Sequence, residues 1–184
     1  MAKKNSRTGF TLLETIVALS VILGGLAGPF ALATRGIFTA KFAKSKLVAL
    51  YLAEEGVETI RHMRENNILG NFDWRGLGSC TGSCTVLQDG SYQVSVVDGS
   101  PSCPTIFATV GQGDPIVFDS ASGLYLQSRS GFACPGVATS PSFTRVVTLS
   151  TPATDQMRVV STITWSDSGI LRQVRLEEVF YNWQ

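Results

Sequence analysis

The residue most clearly capable of chemistry is Glu14, a single carboxylate near the start of a predominantly apolar run from Phe10 to Ala33. A lone ionised group in hydrocarbon costs about 3 kcal/mol. A chain keeps such a residue when its helix meets a positively charged partner inside a membrane or a protein assembly. The position of Glu14 therefore favours charge pairing over catalysis.

Other residues capable of chemistry are scattered along the chain. His62, the single histidine, lies in a helical pattern without an evident partner for a Ser-His-Asp arrangement. Gly111-Gln-Gly113 lacks the lysine and the helix of a phosphate loop. Asp89, Asp114 and Asp119 lie in segments where aspartates more often form turns than bind calcium. The sequence predicts no catalytic residue, no cofactor and no metal site, and thus a protein that is not an enzyme.

The apolar run is 24 residues long, enough for a helix to cross a bilayer about 30 Å thick. A helix from Phe10 to Glu65 would be roughly 84 Å long, because each residue advances it by about 1.5 Å. Only its first half fits within a bilayer. The second half must therefore pack on a folded domain.

Two simpler interpretations of the run stay open. Ala31-Leu32-Ala33 offers a small-residue cleavage site of the kind found in ordinary secretory signals. The run is longer than the usual signal core of about 7–15 residues, contains a glutamate and continues into a second helical segment. A cleaved secretory signal or a plain single-span anchor would leave a monomeric binding domain.

The start of the chain resembles the prepilin signal of type IV pilins and type II secretion pseudopilins. A short basic leader precedes a glycine, an aromatic residue, a carboxylate and a long apolar helix, in that order. The residues that carry the resemblance are Lys3, Lys4 and Arg7, followed by Gly9, Phe10, Thr11, Leu12, Leu13 and Glu14.

The resemblance implies a processing and assembly route. A membrane aspartyl protease, the prepilin peptidase, would cut between Gly9 and Phe10, and the new amino terminus of Phe10 would be methylated. The subunit would wait in the inner membrane until an ATP-driven assembly platform packs it into a filament. Glu14 would pair with the free amine on Phe10 of a neighbouring subunit. Opposite charges attract strongly in a medium of low dielectric constant and offset each other's desolvation.

A cluster of helix-weakening residues interrupts the apolar run at Gly24, Gly25, Gly28 and Pro29. Proline lacks an N–H group, and its ring clashes with the carbonyl oxygen four residues earlier. We expect a hinge here, because proline directly follows the third glycine. The alternative is a close helix–helix contact through the Gly24 and Gly28 pair.

Helical periodicity resumes after the cluster, and residues 34–66 form a predicted amphipathic helix. Its apolar residues recur at spacings of three, four and seven, namely Phe38, Phe42, Ala49, Leu52, Ala53, Gly56, Ile60 and Met63. Basic residues (Arg35, Lys41, Lys44, Lys46) come first, then acidic ones (Glu54, Glu55, Glu58), then Arg61 and Arg64. The simpler interpretation is a solvated helix face with local pairs from Glu54 and Glu58 to Arg61 and Arg64. The alternative is axial pairing between the basic and acidic blocks of two subunits.

Beyond the helix, a loop rich in glycine and asparagine from Asn66 to Ser83 leads into a β-rich head, residues 67–184. Strands are predicted at Tyr92–Val97, Thr105–Val110, Ile116–Phe118, Leu124–Leu126, Phe143–Leu149, Met157–Trp165 and Ile170–Phe180. Met157, Val159, Ile163 and Trp165 share one face at period two, as in a sheet packed on one side. Residues 105–142 look like an insertion.

The four cysteines, Cys80, Cys84, Cys103 and Cys134, all follow the membrane-length segment. In a chain addressed across a membrane they predict two disulfides. A local Cys80–Cys84 bond is favoured over a zinc site, which needs more ligands than the chain supplies. Cys103 and Cys134 then pair by elimination, although four cysteines allow three connectivities.

Together these features predict an α+β, pilin-like fold: a leader at 1–9, a transmembrane or filament-core helix at 10–33, the amphipathic helix and the head. We expect a minor pilin, with a pseudopilin as the alternative, whose partners are other pilin subunits, the peptidase, the assembly platform and the membrane. Its amino terminus would face the cytoplasm, and its head would end in a periplasmic or extracellular filament. Basic residues flank both ends of the span, so this orientation follows from the resemblance.

Charge supplies no argument for a nucleic-acid partner. Loss of the leader removes three of the 15 basic residues and none of the 14 acidic ones, which leaves a net charge of −2. That balance lacks the basic excess typical of nucleic-acid binding.

Overall fold

A computed structural model describes residues 9, 11–78, 80, 84–94, 106–108, 113–121, 123–127, 137–138 and 142–182. One helix, α1, runs from Leu12–Leu69. The strands are β1 (Gly90–Val94), β2 (Ile106–Ala108), β3 (Ile116–Asp119), β4 (Leu124–Gln127), β5 (Val137–Ala138), β6 (Phe143–Ala153), β7 (Gln156–Asp167) and β8 (Ile170–Tyr181). The chain is an α+β protein, as its sequence predicts.

The strands form two sheets in which every pairing is antiparallel. The larger sheet has the order β2-β1-β6-β7-β8, and the smaller one has the order β4-β3-β5. An isolated bridge between Pro115 and Thr144 connects the end of the smaller sheet to β6. Strand β8 is therefore at one edge of the larger sheet.

The long strands β6 to β8 follow the alternation of their residues. Met157, Val159, Ile163 and Trp165 are all buried, as the period-two pattern predicts. The turn between β7 and β8 consists of Ser168 and Gly169, whose φ angles are 52° and 80°. Two consecutive positive φ angles are typical of a type I′ hairpin, whose twist matches that of the flanking strands.

The chain divides into two structural units, Met1–Ala43 and Lys44–Gln184. In the second unit, the part of α1 after position 43 packs on the larger sheet. Its apolar stripe supplies Val57, Ile60 and Met63 to a core that also contains Trp74, Leu87, Val94, Val147, Leu149, Met157, Val159 and Phe180. The antiparallel sheet thus buries one of its faces under the helix.

A glycine allows this part of the helix to approach the sheet closely. A Cβ atom placed on Gly56 would lie 2.7 Å from Ser161 Oγ and 3.1 Å from Arg145 Cδ. Both distances are shorter than ordinary van der Waals contacts. The glycine in the predicted apolar stripe is therefore a contact point and not a break in the helix.

The helix ends at Leu69, three residues beyond the predicted end at position 66. Asn67 lies in the predicted loop, whereas in the structure it is helical and its side chain is fully buried. Asn67 Nδ2 donates to the Thr85 carbonyl at 2.8 Å, and Asn67 Oδ1 accepts from the Thr85 N–H at 2.8 Å. This reciprocal pair attaches the helix to the segment before β1 and outweighs the low helix propensity of asparagine.

The helix terminates in a Schellman motif. Asn71 has a φ of 57°, the left-handed conformation that asparagine tolerates well. The Phe72 N–H donates to the Asn67 carbonyl at 2.9 Å, and the Asn71 N–H donates to the Ile68 carbonyl at 3.0 Å. These two bonds satisfy carbonyl groups that have no partner within the helix.

Arg145 occupies the interior between α1 and the sheet, with no exposed side-chain surface. Its guanidinium donates to the Leu52 carbonyl at 2.9 Å and to the Val94 carbonyl at 2.5 Å. The carboxylate of Glu55 lies 3.4 Å from the same group. Burial lowers the pKa of Arg145, and Glu55 partly restores it. One side chain thereby connects α1, β1 and β6.

The shorter strands differ from their predictions in extent. Strand β1 begins two residues earlier than predicted and is described only to Val94, and β2 is described only over Ile106–Ala108. The predicted insertion contains the whole smaller sheet, including the unpredicted strand β5, Val137–Ala138. Pairing with β3 stabilises this two-residue strand, which has too few residues to show a periodic pattern.

We expect Arg145→Met to lower the free energy of unfolding of the second unit by about 3 kcal/mol, because it leaves Glu55 and two buried carbonyls without their donor. Arg158→Met is the matched control on β7. Its exposed pair with Glu177 should contribute less than about 1 kcal/mol. Denaturant unfolding of the full chain in detergent, followed by tryptophan fluorescence, measures both. Equal losses for the two variants would contradict the assigned role of Arg145.

Candidate membrane and assembly segment

The helix start is capped by Thr11. The Glu14 N–H donates to Thr11 Oγ1 at 3.3 Å, and the Thr15 N–H donates to the Thr11 carbonyl at 3.2 Å. Threonine followed three positions later by glutamate is the sequence pattern of a capping box. The pattern was present in the sequence but was not used in the prediction. It gives Glu14 a local role beside any role in assembly.

Glu14 lies in the first turn of α1. A carboxylate there interacts favourably with the partial positive charge of the helix amino terminus. This offsets part of the cost of placing the charge in apolar surroundings. Phe10, whose amine is the predicted partner, lies outside the described residues, whereas Gly9 is described and exposed. The predicted pair therefore stays a prediction.

The first part of α1 is apolar and uncovered. Every residue from 11 to 33 is exposed. The large apolar side chains among them are Leu12, Leu13, Ile16, Val17, Leu19, Val21, Ile22, Leu23, Leu26, Phe30 and Leu32. Within the described part of the chain, α1 is the one helix long and apolar enough to cross a membrane. An apolar surface of this extent indicates contact with lipid or with other proteins.

The hydroxyl groups of Thr15, Ser20 and Thr34 donate to carbonyl groups within the helix. Thr15 Oγ1 donates to the Leu12 carbonyl and Ser20 Oγ donates to the Ile16 carbonyl, both at 2.8 Å. Thr34 Oγ1 contacts the carbonyls of Phe30 and Ala31 in the same way. A hydroxyl group in hydrocarbon must form its hydrogen bond within the protein, since no water is available there.

The glycine and proline cluster lies inside α1, and the structure keeps residues 24–29 helical. A Cβ atom on Gly24, Gly25 or Gly28 would meet nothing within 4 Å. Because Pro29 has no N–H, the Gly25 carbonyl lacks its helical donor. These positions have both the space for a close helix–helix contact and the weakened hydrogen bonding of a hinge. The two interpretations stay predictions.

The structure joins Cys80 and Cys84 in a disulfide, the pairing that the sequence favoured. The predicted partners Cys103 and Cys134 lie outside the described residues. The bond lies beyond α1, in the segment that leads to β1, and it is not part of the apolar surface.

The residues considered for other chemistry have local partners. Asp89 accepts hydrogen bonds from the N–H and the hydroxyl group of Thr151. It also forms an ion pair with Arg75. Its hydrogen bond to Thr151 is the main cause that lowers the pKa of Asp89. Asp119 accepts from the Ala121 N–H at 3.0 Å, as in an Asx turn. His62 contacts Asn66 on the exposed helix face at 3.2 Å.

Comparisons with protein-family models, with curated proteins and with solved structures returned no match to this chain. The function must therefore be argued from the residues and the structure of the chain itself.

If the exposed apolar surface of residues 12–33 lies in the membrane, charged substitutions in it should prevent insertion. Leu19→Arg combined with Leu23→Arg should remove the chain from the membrane fraction after carbonate extraction, because each arginine adds about 3 kcal/mol at the centre of a span. Leu69→Arg is the control, since Leu69 is 81% exposed but lies in the second unit. Retention of the double variant in the membrane fraction would show that residues 12–33 do not span it.

Proposed function

We propose that this chain is a structural subunit of a type IV pilus-like filament and that it enters the filament through the first part of α1. The observation that carries the proposal is the division of one helix between two surroundings. Residues 11–33 leave their apolar side chains uncovered, whereas the later part of α1 forms the core of a folded α+β unit. This is the division that a subunit needs when it is stored in lipid and then packed against its copies.

The continuity of α1 supports the proposal over a cleaved secretory signal. Ala33 lies in the interior of α1, which continues to Leu69. Cleavage after Ala33 would therefore cut through the helix. The prepilin-type site between Gly9 and Phe10 precedes the first helical residue, Leu12.

The proposed mechanism follows from three features of the segment. The leader holds the chain in the membrane until it is cut. The carboxylate of Glu14 then docks against the amine on Phe10 of a neighbouring subunit, an attraction of about 4 kcal/mol at a separation of 4 Å and an effective dielectric constant of 20. Apolar side chains exchange lipid contacts for contacts with other helices, and the small residues at 24, 25 and 28 allow close approach.

A minor-pilin role fits the irregular segment between β2 and β6, which adds a second sheet to the larger one. A pseudopilin of a secretion system would use the same helix. A membrane-anchored binding domain would use the helix for retention alone, without any need for Glu14.

The role of Glu14 separates a filament subunit from a monomeric anchor. We expect Glu14→Ala and Glu14→Gln to reduce the amount of chain in sheared filaments at least about tenfold, a loss of 1.4 kcal/mol or more per docking event. The amount in the membrane should stay unchanged, because the apolar run is intact.

Glu65→Ala is the matched control for this experiment. Glu65 is an exposed glutamate in the later part of the same helix, and its loss should leave the yield of filaments unchanged. Normal assembly of both Glu14 variants would contradict the proposed function and favour the monomeric anchor.

A further inference from the structure

A groove of about 500 Å³ lies in the second unit between α1 and the edge strand β8. Residues of both elements line it, and among the described strands β8 pairs with β7 alone, at the edge of the larger sheet.

The groove has an acidic wall. Four carboxylates line it together with Arg61, and one of them, Glu55, is paired with the buried Arg145. Arg61 forms ion pairs with Glu58 and, at 2.6 Å, with Glu178. The hydrogen bond with Glu178 raises the pKa of Arg61. Negative charge remains in excess, and Glu54 in particular is exposed at the surface of the helix.

The floor and one rim of the groove are apolar. Val57 is buried and Leu176 is partly buried against the core. Tyr51 is 61% exposed and presents its ring at the rim. Such a site combines apolar contact with a negative potential, and an aromatic ring can also receive a cation on its face. The chemistry fits a helix that carries basic and aromatic side chains along one row.

The same chain contains a row of that kind. Arg35, Phe38, Lys41 and Lys44 recur at a spacing of three, which places them along one ridge of α1. All four side chains are exposed, and Phe38 is 66% exposed. None of these basic residues forms an ion pair within the described residues. The ridge therefore offers positive charge to the acidic wall of the groove and a second aromatic ring beside Tyr51.

We propose that the groove receives the Arg35–Lys44 ridge of a second copy of this chain. The interaction is a helix laid into a groove, with lysines opposite Glu54 and Glu58 and Phe38 near Tyr51. It deepens the proposed function, on which it rests, by naming a contact between the folded unit of one subunit and the helix of another.

The axial displacement between the paired residues shows that this contact and the Glu14 contact involve different neighbours. Alignment of Lys41 and Lys44 with Glu54 and Glu58 in parallel helices requires an axial displacement of about 20 Å, at 1.5 Å per residue. The pairing of Glu14 with the amine on Phe10 of a neighbour requires a displacement of only about 6 Å. The two contacts therefore join a subunit to two different neighbours in the same filament. Each subunit would then be bound at two positions along the filament axis.

A photo-cross-linking experiment on the full chain in its own cells tests this contact. Tyr51 is replaced by p-benzoylphenylalanine, the cells are irradiated, and the cross-linked peptides are identified by mass spectrometry. Two copies with different tags are co-expressed so that cross-links between copies are recognised. We expect a cross-link from Tyr51→p-benzoylphenylalanine to residues 35–46 of the second copy. The same replacement at Arg175, on the other face of β8, should not yield it.

Charge exchange gives an independent test. Lys41→Glu with Lys44→Glu, or Glu54→Lys with Glu58→Lys, should each reduce the cross-link yield about tenfold, because like charges then meet across the contact. The chain that carries all four changes should recover the yield to within about twofold. Glu58 pairs with Arg61 at an exposed site, so its reversal costs the fold little. Protease resistance of each variant checks that the unit is folded.

The outcomes separate this inference from the proposed function. A cross-link only to another protein or to another segment, or no recovery in the fourfold variant, would overturn the docking of a second copy. If the parent chain assembles into filaments without any Tyr51 cross-link, the docking is wrong and the filament proposal stands. If the parent chain does not assemble at all, both are wrong.

Discussion

The constraint on which the rest of the structure depends is that one helix must satisfy two different surroundings. Its residues 11–33 are exposed, and eleven of them carry large apolar side chains. Leaving these in water would forgo on the order of 20 kcal/mol of apolar burial, at about 2 kcal/mol per side chain. That exceeds the net stability of a typical domain. The first part of α1 therefore needs lipid or other protein, and its hydroxyl groups are already satisfied internally.

The later part of α1 meets the opposite demand, since it must be held firmly by its own sheet. Apolar burial supplies most of this attachment, and three polar contacts fix its register. Arg145 reaches the Leu52 carbonyl from β6, Asn67 pairs with Thr85, and Arg64 donates to the Tyr181 carbonyl at 2.9 Å. A subunit whose head carries defined surfaces, such as the groove beside β8, requires this kind of fixed helix.

The fold class and the longest elements could be predicted because their residues alternate or recur over many positions. Strands β6 to β8 and the apolar stripe of α1 are examples. Asn67 could not be placed correctly, because its role depends on Thr85, 18 positions away. Arg145 follows the same period-two alternation as the buried residues Phe143 and Val147 in β6, but the sequence alone assigned it neither a face nor a role. The carbonyls that accept from it lie 93 and 51 positions away, and no local pattern indicates them.

For the apolar segment and the groove, too, local features could be predicted and contacts between distant residues could not. Its length, its apolar character and Glu14 could be recognised from composition and order, and the cap at Thr11 could have been recognised from the threonine-to-glutamate spacing. The groove could not, since Leu176 and Glu178 join Glu54 and Glu58 only after β8 has paired with β7. Sequence reasoning lists the charges on one helix, and tertiary structure decides which of them share a surface.

We infer that residues 10–33 belong to the mature subunit and follow directly after a prepilin-type cleavage. Intact-mass and amino-terminal peptide analysis of the protein from its own cells tests this most directly. With prepilin-type processing, we expect a chain that begins at Phe10 with a methylated amine. A chain that begins at Thr34 would contradict it, because the apolar segment would then be a discarded secretory signal and Glu14 would have no role in assembly.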